Sequence, residues 1–363
     1  MSVIREAPQS GEETGQAMKA VAGLYHAYFT GLILTLVTRR SAQDAAEWVF
    51  GLFRHQHHEK FLASFEKLGL KGMPDAVACA AYHYLSNSVG GVTVEFMRES
   101  DRKAWVNFVP PRWIYPGASI CGVPSEVSRA FLRGWYAQNG VSLGNPRLGF
   151  VCTAQTTDGQ HGLSGYFIEH ARDLAPDERL QFRPGELPPP FDPDAAPKLP
   201  ASEWTPERLA KAERNYAMEY VRSGLPRLVE IFGPAEAAHL GRVTGKLVGA
   251  QLYRQTADLL GIRASGGAEA FATFMLRLAA GEGDEAQMAL QGDAVLVRRE
   301  SWRLMRGLEP LSPAVFEAWN GLLEGALAVH DRFCAIEVLS RADWGDDAFV
   351  WRIRPRARRT SQG

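Results

Sequence analysis

Cysteine is scarce in this sequence, which has four among 363 residues, at widely separated positions. Because none of them belongs to a CxxC pair, the sequence predicts neither a zinc knuckle nor a disulfide-stabilised scaffold. Dispersed cysteines of this kind are typical of a reducing compartment, and we therefore expect a cytoplasmic protein.

An excess of one charge is also missing, since 40 lysines and arginines face 41 aspartates and glutamates. A protein that binds nucleic acid or an anionic membrane surface usually presents a basic patch, so we expect neither partner. The most apolar early run, residues 31–37, is too short to cross a bilayer. The run Gly281-Glu282-Gly283-Asp284 lacks the lysine of a phosphate-binding loop, so the sequence gives no support for nucleotide binding.

Hydrophobic periodicity and turn residues indicate an α+β fold with two similar regions. Residues 1–16 are polar and are predicted to be disordered. Residues 17–174 and 204–355 each show the order helix, helix, helix, hairpin, helix, hairpin. Ser41 is predicted to cap the second helix. The hairpins of the first region are predicted to pair residues 92–96 with 104–108 and residues 148–155 with 163–169.

The segment between the two regions is rich in proline, with eight of the chain's 21 prolines in residues 175–200. Proline has no backbone donor, so residues 175–203 are predicted to be a semi-rigid linker and domain boundary rather than part of a sheet. The arginine-rich end, residues 356–363, is predicted to be a solvated basic tail.

The second region resembles the first at positions that keep their order along the chain. An alignment without gaps pairs Tyr28 with Tyr220 and Leu68-Gly69-Leu70 with Leu260-Gly261-Ile262. With small deletions, Gly134 aligns with Gly321 and Cys152 with Cys334. We therefore predict a tandem repeat of two halves, each an antiparallel sheet of hairpins packed with helices, forming a pseudo-dimer with a pocket at its seam.

Three glycines, Gly241, Gly245 and Gly249, form one bare helix face in the second half, where the first half has Val49, Phe53 and His57. One interpretation is that another helix packs closely on this face. The other interpretation sets the bare face against the phenylalanine and histidine face of the first half, so that one half supplies polar groups and the other supplies room.

Three of the nine histidines lie at positions 55, 57 and 58 of the second helix. At helical spacing, His57 shares a face with Phe53 and Phe61, while Arg54, His58 and Glu59 flank that face. An imidazole on an apolar face must find a polar partner or line a cavity. His57 is therefore either a buried structural histidine or a catalytic base, and His58 is the alternative base, with Glu59 orienting it.

Metal binding is a second candidate chemistry on this helix. His55 and Glu59 are four residues apart on one helix face and His58 is adjacent, which suits a divalent metal such as zinc or iron. A third ligand would come from His83 or His161. The alternative is a solvated helix face on which Glu59 pairs with a lysine.

Other residues suggest a nucleophile and substrate contacts. Cys152 lies on a predicted strand and His161 follows the turn of the same hairpin, so the two could form a Cys–His dyad, or be a packing cysteine and a turn histidine that faces water. Arg54 is a candidate to bind a substrate anion. Tyr25 and Trp105 are candidates to line an apolar pocket, although such aromatics often belong to the core.

Four short segments resemble a known family: Gly134-Trp135-Tyr136, Gly149-Phe150-Val151-Cys152, Asp158-Gly159 and Tyr166-Phe167-Ile168. Together they are similar to the closing part of the 4-vinyl-reductase-like and aminothiazoline-carboxylate hydrolase-like domains. The second hairpin cysteine of that pattern is missing, with Ser164 and Phe349 standing near its place. The family includes ligand-binding sensors and small-molecule enzymes, and the hydrolase resemblance implies cleavage of a C–N bond.

The sequence therefore predicts an enzyme that hydrolyses a C–N bond of a small organic molecule at a histidine-centred site between the two repeats. The first alternative is a non-catalytic protein that binds or senses a small ligand. The second alternative is a structural or partner-binding protein. A homo-oligomer is compatible with any of the three.

Overall fold

The computed structural model describes residues 3–4, 11–111, 114–199, 202–262 and 266–356. The chain divides into two compact units. We call Ile33–Glu213 the middle unit, and Met1–Leu32 together with Arg214–Gly363 the terminal unit. The proline-rich segment, predicted to be the boundary between domains, lies inside the middle unit. The predicted basic tail lies outside the described residues except for Arg356.

Helices and strands alternate in blocks, as the sequence predicts for an α+β fold. The helices are α1 Gly11–Arg39, α2 Ala42–Lys67, α3 Asp75–Val89, α4 Ser125–Gly134, α5 Asn139–Leu143, α6 Pro206–Phe232, α7 Pro234–Leu259, α8 Gly267–Glu282 and α9 Pro313–His330. The strands are β1 Val3–Ile4, β2 Val94–Ser100, β3 Lys103–Phe108, β4 Leu148–Ala154, β5 Leu163–Glu169, β6 Leu180–Phe182, β7 Ala286–Gln291, β8 Ala294–Arg299, β9 Cys334–Ser340 and β10 Phe349–Pro355.

The described residues of each unit form one sheet packed with helices, which confirms the α+β class. The middle-unit sheet has the order β2-β3-β5-β4-β6, and the terminal-unit sheet has the order β1-β7-β8-β10-β9. The four hairpin strands therefore follow the same order in both sheets. Among the described strands, all pairings are antiparallel except that of β4 with β6.

The register of the two closing hairpins corrects one predicted correspondence. Both hairpins carry an irregularity near the turn. In β4 it lies between Cys152 and Ala154, and in β9 it lies between Val338 and Ser340. Counted from these irregularities, Val338 takes the place of Cys152, and Cys334 takes the place of Leu148. The predicted match of Cys152 with Cys334 is therefore wrong, because the two thiols lie at different ends of equivalent strands.

Helix boundaries follow local capping in the middle unit. The Ser41 hydroxyl accepts a hydrogen bond from the Asp44 amide at 3.0 Å, which confirms the predicted cap of α2. Helix α4 ends at Gly134, and α5 begins separately at Asn139. Gly134 allows α4 to cross α2 closely, since a Cβ there would lie 2.8 Å from the Phe50 carbonyl oxygen.

The amino-terminal segment is more ordered than predicted. Helix α1 begins at Gly11, with Glu12 and Glu13 in its first turn, where carboxylates favour the helix dipole. Val3–Ile4 pairs with β7. The apolar segment is longer than residues 31–37, since α1 is long and apolar enough to cross a membrane. However, 67% of its most apolar window is buried, as in a core helix.

The proline-rich segment is part of the middle-unit sheet, which corrects its assignment as a linker. We call residues 175–199 the strap. Three strap residues between its prolines form β6, which pairs in parallel with residues 150–152 of β4. Farther along the strap, Phe191 packs against a buried cluster formed by Met97, Trp105, Val151 and Tyr166. The prediction failed because the prolines lie on either side of the paired residues and leave their backbone donors intact.

The glycine face of α7 packs against α9 of the same unit. A Cβ at Gly245 would lie 2.8 Å from the Leu322 nitrogen, and one at Gly249 would collide with the Leu322 carbonyl oxygen. Helix α9 has the matching feature, since a Cβ at Gly325 would collide with the Lys246 carbonyl oxygen. Close helix packing is confirmed, and the alternative that set this face against the first half is wrong.

We expect Gly249→Ala to destabilise the protein by about 3 kcal/mol, because neither backbone can move away from the added methyl group without separating the helices. The control is Gly23→Ala in α1, where an added Cβ meets no atom within 4 Å. There, removal of a helical glycine should stabilise the protein by roughly 0.5–1 kcal/mol. Urea unfolding followed by circular dichroism measures both changes, and equal effects would contradict the packing.

Candidate functional site

His57 belongs to a buried hydrogen-bonded chain in the middle unit. Its Nε2–H donates to Asn139 Oδ1 at 3.1 Å, and Asn139 Nδ2 donates to His83 Nε2 at 3.1 Å. His57, His83 and Asn139 are 1%, 2% and 0% exposed. The three side chains come from α2, α3 and α5, so the chain of hydrogen bonds ties these helices together.

Aromatic rings enclose both histidines. His57 stacks on Phe61 at 4.6 Å and meets the Trp135 edge at 5.4 Å, while His83 stacks on Tyr136 at 4.0 Å and on Phe167 at 5.3 Å. Burial lowers the pKa of His57 to about 4 and holds the pKa of His83 well below its ordinary value. Both rings are therefore neutral at pH 7, and this cluster has the properties of a structural core.

The other predicted residues of α2 lie on its exposed side. His55, His58 and Glu59 are exposed and Arg54 is half-buried. His55 Nε2 lies 3.5 Å from Glu59 Oε1, with both side chains about half in solvent. Consecutive residues of a helix point about 100° apart, which places His58 and Glu59 away from the buried His57. Catalysis that needs His57 and Glu59 on one face is therefore not supported.

The predicted metal site also lacks support. No group of three or more histidine, cysteine, aspartate or glutamate side chains in the described ranges could hold a metal ion. Neither proposed third ligand joins His55 and Glu59, since His83 is bonded to Asn139 in the core and His161 is exposed on a turn. His55 and Glu59 form a solvated pair instead.

The predicted nucleophile and aromatic residues occupy separate environments. Cys152 is 2% exposed, and its thiol donates to the Ala154 carbonyl at 3.5 Å, whereas His161 is exposed in the turn of the hairpin. In the terminal unit, the Tyr25 hydroxyl donates to Glu282 Oε1 at 2.5 Å and accepts from Trp319 Nε1 at 2.9 Å. Tyr25 is thus fully bonded within the core of that unit.

The buried charges next to Tyr25 are paired as well. Arg299 forms ion pairs with Glu282 and with Asp284, and its side chain is 5% exposed. The Ser301 hydroxyl also donates to Asp284 at 2.6 Å. These partners stabilise the ionised form of the buried Asp284 carboxylate. The cluster is therefore a structural ion network rather than an open substrate site.

A group of polar side chains that the sequence did not point to lies beside Trp105 on one side of the middle-unit sheet. Strands β3 and β5 pair Trp105 with Tyr166 and Asn107 with Ser164, so these four side chains share one side. Ser164 also lies opposite Ala154 at the end of β4. Part of the strap packs on this side, since Phe191 lies against the buried cluster that contains Trp105 and Tyr166.

Four atoms in this region are buried without a hydrogen-bond partner among the described residues: Asn107 Oδ1, Thr153 Oγ1, Gln155 Oε1 and Ser164 Oγ. We call them the oxygen cluster. Their residues are 8%, 2%, 3% and 1% exposed. Unsatisfied buried oxygens are uncommon in proteins, and four at one end of a sheet indicate a place for a bound polar molecule or water.

Neighbouring hydrogen bonds fix which atoms of the oxygen cluster remain available. Asn107 Nδ2 donates to Glu95 Oε2 at 2.7 Å, and Gln155 Nε2 donates to Asp158 Oδ2 at 2.9 Å. Each amide therefore turns its carbonyl oxygen away from a carboxylate. The cluster offers two fixed acceptors and two hydroxyls that can accept or donate. A strap contact adjoins it, since the Gly185 amide donates to the Thr153 carbonyl at 3.2 Å.

We expect acid to destabilise the protein partly through His57. Its pKa is about 4 in the folded state against an ordinary 6.5, so the unfolded chain binds more protons between these values. Stability is therefore present above pH 6.5 and falls as the pH drops towards 4, by an amount on the order of 3 kcal/mol for this residue.

The variant His57→Phe removes this titration and should flatten the dependence of unfolding free energy on pH between 4 and 6.5. It should also cost roughly 1–3 kcal/mol at pH 7, because Asn139 loses a partner. The exposed His58→Gln serves as the control and should leave the slope unchanged. Identical slopes for the wild type and His57→Phe would show that His57 titrates normally.

No family model and no curated protein matches the sequence. Among solved structures, the chain is similar to a trafficking protein particle complex subunit 3 from Naegleria fowleri, crystallised with covalently bound palmitic acid. The two share 14% identity with a TM-score of 0.34, over 39% of this chain and 94% of that chain. A likeness at this level assigns neither a family nor a function.

Proposed function

We propose that this chain is a non-catalytic binding protein for a small, polar molecule rich in hydrogen-bond donors, held by the oxygen cluster beneath the strap. The observation that carries this proposal is the group of four buried oxygens without partners. A buried acceptor without a donor costs free energy, on the order of 1–3 kcal/mol each. A ligand that supplies donors would recover this energy on binding.

The electrostatic surroundings narrow the class of ligand. The carboxylates of Glu95 and Asp158 lie next to the two amides, so an anion would meet repulsion as well as acceptor oxygens. A small amine or polyol fits both the charge and the donor requirement. Trp105, predicted to contact substrate, lies two residues from Asn107 on the same side of the sheet and would form an apolar wall.

Hydrolysis of a C–N bond is less well supported, because the candidate bases lie elsewhere. His83 stacks on Phe167, which by strand alternation points to the side of the sheet opposite Asn107 and Ser164. A general base must come within hydrogen-bond distance of the proton that it removes. The neutral, enclosed pair of histidines does not meet this requirement.

We also propose that the two sheets descend from a tandem duplication and that only the middle unit kept the ligand site. The common strand order, the matching irregularities in β4 and β9 and the glycine crossings of α4 and α9 support this. In the terminal unit, the equivalent register positions hold other residues: Arg298 for Asn107, Leu339 for Thr153, Arg341 for Gln155 and Val350 for Ser164.

Without ligand, we expect Thr153→Val to leave stability unchanged or to raise it, because it removes a buried hydroxyl that has no partner. The matched control is Thr244→Val, since the buried Thr244 hydroxyl donates to the Leu240 carbonyl at 2.8 Å. That variant should lose about 1 kcal/mol. Equal losses in urea unfolding would show that Thr153 is satisfied.

A thermal-shift screen of small amines and polyols tests binding itself. At least one compound should raise the melting temperature of the wild type and of Thr244→Val without being consumed. The same compound should have no effect on the double variant Thr153→Val, Ser164→Ala. The proposal fails if no compound stabilises the wild type, or if the double variant responds equally.

A further inference from the structure

The equivalent strands β4 and β9 differ in what covers their outer edge. In the middle unit, β6 pairs with residues 150–152 of β4, and all seven residues of β4 are buried. In the terminal unit, β9 is the last strand of the sheet, and of its residues only Cys334 is buried. Among the described strands, β9 has a neighbour only on its β10 side.

Several large apolar side chains in β9 and near it in the sequence are exposed. Val329 and Phe333, which precede β9, are 40% and 67% exposed. Leu339, within β9, is 45% exposed, and Trp344, which follows β9, is 64% exposed. We call β9 with these four residues the β9 surface. An open strand edge next to exposed apolar groups readily pairs with another extended segment, and proteins usually protect such an edge.

The charges at the beginning of β9 are mostly positive, since three arginines stand there against one carboxylate, that of Asp331, which accepts from the Phe333 amide at 2.8 Å. Arg356 Nε donates to the Cys334 carbonyl at 2.9 Å, which holds its guanidinium at the first residue of the strand. Arg332 and Arg354 are also exposed nearby in the sequence and in the β9–β10 ladder. Farther along, Arg352 is paired with Glu337 at 2.6 Å. The beginning of the β9 surface therefore favours an acidic partner.

The strap shows how a segment of suitable chemistry pairs with this kind of strand. Asp177 and Glu178 precede β6, and Glu178 forms an ion pair with Arg172 at 2.5 Å, just beyond β5. By register, Arg354 takes the place of Ile168 near the end of β5, and Arg356 takes the place of His170. An acidic residue placed before a strand parallel to β9 would therefore meet arginines.

We propose that the β9 surface binds an extended segment of a partner protein, which pairs in parallel with β9 as β6 pairs with β4. The segment carries acidic residues before the paired stretch and apolar residues within it. Its acidic residues lie beside Arg354 and Arg356, and its apolar side chains cover Leu339 and Phe333. This is strand addition, in which backbone hydrogen bonds supply affinity and side chains supply selectivity.

A synthetic peptide with the sequence of residues 175–187 is the probe, because it contains both the acidic pair and the β6 residues. Isothermal titration calorimetry should detect its binding to the full-length protein. Leu339→Lys should weaken binding roughly tenfold or more, as expected for a charge placed in an apolar contact. Leu290→Lys, an exposed leucine on β7 of the same sheet, is the matched control and should change affinity less than about twofold.

A second comparison tests the charge requirement. A peptide with Asp177→Asn and Glu178→Gln should bind the wild type roughly fivefold more weakly. The double variant Arg354→Gln, Arg356→Gln should bind both peptides equally. Melting temperatures check that all variants fold, which is expected because the changed side chains are exposed.

Three outcomes would overturn the proposal. The peptide could fail to bind, or it could bind Leu339→Lys as tightly as the wild type, which would place binding at β4 after displacement of the strap. Alternatively, light scattering could show that the wild type is a dimer and Leu339→Lys a monomer. In that case the β9 surface would pair with a second copy of this chain.

Discussion

The outer edge of a β-sheet carries backbone donors and acceptors that need a partner, and this need organises the middle unit. The edge strand β4 pairs with β6, and that pairing fixes the strap on the sheet. Farther along the strap, Phe191 packs against the buried cluster that contains Trp105 and Tyr166. A second strap contact, from the Gly185 amide to the Thr153 carbonyl, lies beside the oxygen cluster. The proposed ligand site thus adjoins the closed edge of the sheet.

The opposite side of that sheet packs against the helices that carry the buried histidines. There, Asn139 links His57 and His83 inside an aromatic core, and burial keeps both imidazoles neutral. Such a network specifies how three helices fit together, because each polar atom that loses its partner costs free energy. One side of the sheet therefore packs against the helices, and the other side carries Asn107 and Ser164 of the oxygen cluster.

Much of the fold follows from local signals in the sequence. Ser41 and the alternating strands of the two hairpins are short-range features, and the structure contains all of them, although β2 begins at Val94 rather than at residue 92 and runs to Ser100. The strap was missed because three paired residues between prolines give no periodic signal. The oxygen cluster was missed because Asn107, Thr153 and Ser164 come together only through the register of three strands, which spacing along the chain does not reveal.

The histidine helix shows the opposite error, in which a strong local pattern suggested too much. His55, His57 and His58 are neighbours in sequence, but a helix separates successive side chains by about 100°, so one is buried and two are in solvent. The glycines of α7 were interpreted correctly as a packing surface in one of two alternatives. Only the three-dimensional structure shows that α9 fills that surface.

Amide hydrogen exchange of the two equivalent edge strands tests this account most directly. If β6 closes β4 and β9 is open, every amide of residues 150–152 should exchange slowly, whereas at least one amide of residues 336–338 should exchange rapidly. Equally slow exchange in both strands would contradict the account, because it would mean that β9 is already covered. Rapid exchange throughout residues 150–152 would contradict it too, because the strap would then not hold the sheet edge.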